Sequence, residues 1–454
     1  MIFLLETISK YLHSQKISYI IISVIILALL LDISLTKISD LIRTDPNYNW
    51  RIGIFLFISF AAIIGHHTIP NLISVKQKEY VNLAILPMYI VHRLVRIVQY
   101  ALSGVILLVI FQIFLLSNYG TNTLLAATVI SYSLAIVMLG ILAQRFFSWY
   151  RSHRDRVILF YGLSSAALLF NVVVIFLLAL SSYSNSPEFI GLHVANLQRI
   201  ITDPLQENLN FAKTISSVVA FVLMWLSTAA LLKRYYHEMG RTKYYILISI
   251  PLVFFVIQFP SLLTGIFGSL IMSDPIFYGV LFTVVFFLSN TVGGIFFGVA
   301  FWTTARMIKE NKLVRNYMVI SAFGLVLFFI SNSAFTVWIN LPFPAFGLSS
   351  ISYTGLSSYL ILIGIYSSAV TVASDSKLRQ SIKKFATNES RFLDNIGIAQ
   401  MEEEIETRVK HLAKEISRET IESSGVDTEI SEKDMIQYAH EVVQEVQKAK
   451  ERKQ

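Results

Sequence analysis

The chain has 454 residues, of which 55% are apolar and 15% charged, and it contains no cysteine. A water-soluble globule carries nearer a quarter charged residues, and the mean hydropathy of +0.62 points the same way. Disulfides, thiolate nucleophiles, cysteine-zinc sites and iron–sulfur clusters are excluded outright. The net charge is +8. Its excess of Lys and Arg lies in residues 1–374, where membrane orientation explains it without any nucleic-acid partner.

Runs of about 20 apolar residues recur along the chain, and each can cross roughly 30 Å of hydrocarbon as a helix. In chain order they predict ten spans: Ile17–Ile33, Ile52–Ile73, Ile97–Leu116, Leu124–Leu142, Val157–Leu180, Ile215–Leu232, Tyr244–Ile271, Ile276–Trp302, Tyr317–Trp338 and Tyr353–Val372. The first follows Lys10 and Lys16 and lacks the small-residue cleavage pattern of a signal peptide, so it reads as an uncleaved span. Before the third, "YVNLAILPMYIVHRLVR" holds Pro87, Arg93 and Arg96. It is expected to lie in the interface as an elbow.

The connections alternate in charge. "QRFFSWYRSHRDR", "KRYYHEMGRTK" and "RMIKENKLVR" are basic, whereas "SNYGTNT", "MSDP" and "INLPFPAFGLSSIS" carry no Lys or Arg. Basic connections resist translocation, which puts both termini in the cytoplasm. The Ser181–Thr214 loop has apolar residues at Phe189, Ile190, Leu192, Val194 and Leu197, and a short amphipathic helix on the membrane surface is expected there. The fold expectation is all-α: a polytopic transmembrane helix bundle of about ten spans over residues 1–374, in the cell membrane, with a cytoplasmic helical tail over 375–454.

Ionisable groups inside a bilayer usually mark a pathway. No Asp, Glu, Lys or Arg falls near the middle of a predicted span, which argues against proton pumps, carboxylate-coupled exchangers and retinal proteins. The polar residues at depth are Gln112, Asn171, Gln258, Asn290 and Asn332. Amides in membrane helices mostly hydrogen-bond to neighbouring helices; the less common role is to line a ligand cavity, for which Asn171, Gln258, Asn290 and Asn332 are the candidates.

His66 and His67, in "IIGHHTIPNL", join that set. Adjacent residues point about 100° apart on a helix, so one metal cannot readily use both, and the bland reading is two wet residues near the interface. Gly293, Gly294 and Gly298 form a G-x-x-x-G face suited to close helix packing. Pro251, Pro260, Gly265 and Gly268 break the seventh span, as a substrate cavity can require.

In the tail, apolar residues step by three and four through Ile405, Val409, Leu412 and Ile416, an amphipathic stripe available for interaction. It can pack on the bundle, on a second copy or on a cytoplasmic protein partner. The juxtamembrane run "SKLRQSIKK…ESRFLDNIGIAQMEEEIETRV" resembles that of multispanning archaeal membrane proteins with a helical cytoplasmic tail, a group known only as uncharacterised. The resemblance implies a prokaryotic cell-membrane location and transfers no activity.

P-loop, G-x-S-x-G, H-E-x-x-H and carboxylate metal clusters are missing from the sequence. No catalytic residue, cofactor or metal ligand is therefore expected, and the chain reads as a non-enzyme. The leading expectation is a receptor or signalling scaffold that relays through its tail. The alternative is a transporter for an apolar or uncharged solute.

Overall fold

The computed structural model describes residues 15–38, 49–78, 88–184, 189–191, 204–234, 236–257, 292–306, 312–334, 343–374, 395–404 and 407. In chain order the elements are α1 (Gln15–Ile38), α2 (Asn49–Lys78), α3 (Met88–Leu116), β1 (Asn118–Gly120), α4 (Thr121–Ser152), α5 (Arg156–Ser184), β2 (Phe189–Gly191), α6 (Pro204–Arg234), α7 (Tyr236–Met239), α8 (Arg241–Ile257), α9 (residues 292–306), α10 (Lys312–Ala334), α11 (Leu348–Ser374) and α12 (residues 395–404). The protein is an all-α polytopic membrane bundle. Seven of the described helices, α2 to α6, α10 and α11, are long and apolar enough to span a bilayer, and α1 carries a shorter apolar stretch over Ile20–Thr36. The second half of the predicted seventh span and the first part of the eighth lie outside the described residues.

The axis of the bundle is α11. Its most apolar window is 89% buried, against 28% for α3 and 61% for α10. A helix surrounded by other helices needs small side chains and internally satisfied polar ones, and α11 has both. Ser357, Ser358, Ser368 and Thr371 return their hydroxyl protons to carbonyls three or four residues earlier. Gly364 lets α10 approach so closely that a Cβ there would lie 2.6 Å from the carbonyl oxygen of Tyr317. Around this axis α4 and α10 pack directly on α11, while α5 bridges α4 and α6. The outward faces are apolar: on α3, Ile97, Leu108, Phe111 and Phe114 are all exposed, as suits contact with lipid tails.

At one end of the bundle β1 and β2 pair antiparallel, with Tyr119 opposite Ile190. Tyr119 is buried and stacks on Phe343, with ring centroids 6.2 Å apart. This corrects the expectation of a surface helix beginning at Phe189. Residues 189–191 are extended because the backbone of the α3–α4 turn offers them a ladder partner, and α6 takes up the loop from Pro204 onward.

The part of the expected elbow from Met88 onward is also corrected, since it belongs to α3, which runs unbroken to Leu116; residues 80–87 lie outside the described residues. The two arginines do not require a flat helix, because Arg93 is exposed and Arg96 bonds to His92.

At the opposite end, the tail side, α12 lies against the bundle. Ile396, Ala399 and Gln400 are buried, and Gly397 fits against Val372. Trp149 of α4 donates its indole N–H to Gln400 Oε1 at 3.0 Å, and Asn395 donates to the carboxylate of Asp155. Arg145 pairs with Glu403 while lying over the ring of Tyr366, 5.5 Å from its centroid.

Candidate functional site

One set of interior polar groups lies on a seam between α1, α2, α3 and α11. On α3, His92, Arg96, Gln99 and Ser103 recur at spacings of four, three and four. Helical periodicity therefore places them on a single face, opposite the lipid-exposed Ile97, Leu108 and Phe111.

Asp32 defines the end of the seam away from the tail. It is 0% exposed. Its Oδ1 accepts the backbone N–H of Gly347 at 2.9 Å, and its Oδ2 accepts both the N–H and the hydroxyl of Ser350, each at 2.9 Å. The first N–H groups of a helix have no intrahelical partner, and a carboxylate is the best cap for them. Here the cap comes from a different helix. Gly347 has φ +91°, a left-handed conformation that aims its N–H at the carboxylate and suits glycine alone among common residues.

His66 comes next and is 1% exposed. Its Nδ1 lies 3.2 Å from the Ser103 hydroxyl and its Nε2 3.0 Å from that of Ser352. Tyr353 packs beside the ring, centroids 4.6 Å apart, and donates its hydroxyl to the Ala62 carbonyl at 2.9 Å. One turn along α3, Gln99 is fully buried with neither amide atom hydrogen-bonded. Nearest the tail, Arg96 donates to His92 Nε2 at 2.9 Å. A nitrogen that accepts is unprotonated, so Nδ1 carries the imidazole proton and donates it to the Tyr359 hydroxyl at 3.0 Å.

The structure separates the two adjacent histidines. His66 faces the central helix, whereas His67 turns toward Tyr100 and accepts from Asn71 at 3.3 Å. Among the described residues no group of three or more His, Asp or Glu is placed to hold a metal. The wet-interface reading of His66 is replaced by a buried, doubly hydrogen-bonded imidazole, because α11 packs over it.

Asn171 and Asn332 meet away from the seam. Asn332 donates to Asn171 Oδ1 at 3.1 Å, and Asn171 donates to Ser216 and Ser217 at 2.9 and 2.8 Å, tying α5, α6 and α10 together. Gln112 accepts from the Gly120 N–H and steadies the α3–β1 turn. Gln258 and Asn290 lie outside the described residues.

Gly293 and Gly294 press against Phe221 and Phe329, and Gly298 against Val326 and the Ala322 carbonyl, all inside the chain. Of the interaction stripe, Ile405, Val409, Leu412 and Ile416 lie outside the described residues. An apolar cavity bordered by Leu139, Phe146, Tyr161, Met224, Phe301 and Ile361 offers about 10 Å³, room for about one water.

No protein-family model, curated protein or solved structure matches the chain.

The seam is only partly legible in the sequence. Asp32 sits one residue before the end of its predicted span, yet α1 continues to Ile38 and encloses it. The signal was a lone carboxylate flanked by "LLL" and "ISL", which marks a helix that stays apolar on both sides of a charge. On α3 the spacing of His92, Arg96, Gln99 and Ser103 is helical, but the predicted elbow leaves His92 and Arg96 outside the third span, which begins at Ile97.

Proposed function

We propose that the protein is a non-enzymatic membrane receptor or signalling scaffold whose bundle passes its state to the tail. One observation carries this reading: α12 is anchored to α4, the α4–α5 turn and α11 together, through Trp149–Gln400, Asp155–Asn395 and Val372–Gly397. A shift of α11 against α4 would be felt at α12 without any intervening loop. Basic connections resist translocation, which supports a cytoplasmic tail, and the apolar sequence stripe Ile405, Val409, Leu412 and Ile416 would suit a partner protein or a second copy.

The test is capture of a defined partner from native membranes by the full chain and by a chain ending at Ser376. Tail-dependent capture that changes in W149F supports the relay. Equal capture, or none, by both chains removes it.

Transport of an apolar or uncharged solute is the second reading, favoured by Pro251 inside α8. Solute flux into proteoliposomes decides it.

A further inference from the structure

On the tail side, polar groups come to the surface of the bundle between α2 and α3. His67 and Asn71 of α2 and Arg96 of α3 are half-buried there, and Arg93 and Tyr100 are exposed. We propose that this patch holds the phosphate of an anionic phospholipid of the tail-side leaflet, with an acyl chain laid along the exposed apolar faces of α2 and α3.

Arg96 supplies the charge. Its Nη2 donates to His92 Nε2 at 2.9 Å, and its Nε is buried without a hydrogen-bond partner. An imidazole nitrogen that accepts is uncharged, so this bond orients the guanidinium without neutralising it. His92 is held in turn by Tyr359 of the axial helix, at 3.0 Å, which fixes the cation in place. Among the described residues, neither Arg96 nor Arg93 pairs with a carboxylate. A guanidinium kept in a membrane bundle without a counter-charge is costly. A headgroup phosphate supplies that charge at the bilayer surface, and the fork of a guanidinium matches two of its oxygens.

The neighbouring hydrogen bonds run toward the same surface. Asn71 Nδ2 can only donate, so His67 Nε2 accepts it at 3.3 Å and Nδ1 carries the ring proton. That Nδ1 faces the Tyr100 hydroxyl at 3.5 Å, with the ring centroids 5.9 Å apart. Tyr100 Oη thus accepts from the protein side and has its own proton to give, on a side chain that is 50% exposed. Arg93, Arg96 and Tyr100 follow one another at spacings of three and four, which puts them on one face of α3. Arg96 also acts electrostatically on His67, across the contact between the two helices. Two cations and a hydroxyl donor therefore converge on one patch.

Depth and surroundings make the ligand a lipid. The uncharged run of α3 starts at Ile97, directly after Arg96, and the apolar span of α2 ends at Asn71. Both helices thus set the patch at headgroup level. From there into the membrane, α3 exposes Ile97, Gly104 and Phe111, and α2 exposes Ile64, Phe60 and Phe57. The helices run antiparallel, so, counted from the His67–Tyr100 pair, Ile64 falls level with Gly104 and Phe57 with Phe111. A Cβ on Gly104 would have nothing within 4 Å, which leaves a shallow trough in this face. From Tyr100 to Phe111 the helix rises about 16 Å, half of the ~30 Å hydrocarbon core. That is the depth the acyl chains of one leaflet fill.

The experiment is native mass spectrometry of the full chain in detergent, with phosphatidylglycerol, phosphatidylcholine or inorganic phosphate added. Wild type is expected to retain phosphatidylglycerol, and to bind the zwitterionic phosphatidylcholine about fivefold more weakly. R96Q is expected to weaken phosphatidylglycerol binding by about tenfold, and R93Q by about fivefold. Y100F keeps the ring and removes only the exposed donor; a smaller loss is expected, and it keeps the test open if R96Q does not fold. R306Q is the control. Arg306 is exposed on the tail side of α9, 4.3 Å over the Trp302 ring, and its loss is expected to leave binding unchanged. The proposal is overturned if folded R93Q, R96Q and Y100F retain the lipid as wild type does, or if R306Q loses it as fully as R96Q. Displacement of the lipid by millimolar inorganic phosphate also overturns it, since the ligand is then a free anion.

Discussion

The carboxylate of Asp32 accepts the backbone N–H of Gly347 at 2.9 Å, joining residues 315 positions apart in the chain. This contact ties the end of α1 to the start of the axial helix, and it explains how α11 can begin inside the protein with its N-terminal donors satisfied. Removing it exposes no surface; it leaves two buried N–H groups without an acceptor. D32A is therefore expected to cost about 2 kcal/mol or more. Thermal unfolding in detergent checks this, and a variant that melts like wild type would show that the cap contributes nothing.

Gly364 sets the distance between α10 and α11. A Cβ at this position would meet the Tyr317 carbonyl at 2.6 Å, and backbone cannot move aside as a flexible side chain can. G364A is expected to destabilise by roughly 1–3 kcal/mol through overpacking. G104A is the control, because its Cβ would have nothing within 4 Å. An equal loss in both variants would mean that helix propensity or lipid contact matters more than the α10–α11 approach.

Asn171 and Asn332 form one network with Ser216 and Ser217. Interhelical hydrogen bonds in membrane bundles average well under 1 kcal/mol, so N171A and N332A should each cost about 1 kcal/mol or less. Their double variant should cost less than the two added together, since each removes a shared bond. Strict additivity in a double-mutant cycle would place the two amides in separate environments.

Docking of α12 depends on a buried indole more than on its ion pair. Arg145 and Glu403 are 20% and 27% exposed, and such pairs contribute about 0–1 kcal/mol. Trp149 is 0% exposed and gives its N–H to Gln400. W149F should thus speed amide exchange across 395–404 by about fivefold, corresponding to loss of roughly 1 kcal/mol, and R145A by less. Exchange rates unchanged in W149F would detach α12 from this anchor.

Much of the architecture was readable from one dimension, because a bilayer imposes a length and a polarity on every crossing helix. The all-α bundle, the spans around α4, α5 and α6, and the start of a helical tail near "DNIGIAQMEE" all follow from that constraint. The partners of polar residues do not. Asp32 falls one residue before the end of its predicted span, and His66 reads as an interfacial residue, since hydropathy averages over a helix and cannot say which face is turned inward. His92 and Arg96 fall in the segment whose Pro87, Arg93 and Arg96 predict an elbow, because a sequence does not show the partner that Arg96 finds in His92.

Composition and periodicity by themselves determined that this chain lies in a membrane as helices, for a physical reason that acts on each segment separately: every buried backbone group must find its hydrogen bond within its own helix. Tertiary structure alone decided which helix is the axis and which polar side chains meet. Those outcomes rest on close approach at Gly364, on the cap that Asp32 lends to α11, and on serines that face both imidazole nitrogens of His66. Each is a relation between residues far apart in the chain, and no local pattern encodes it.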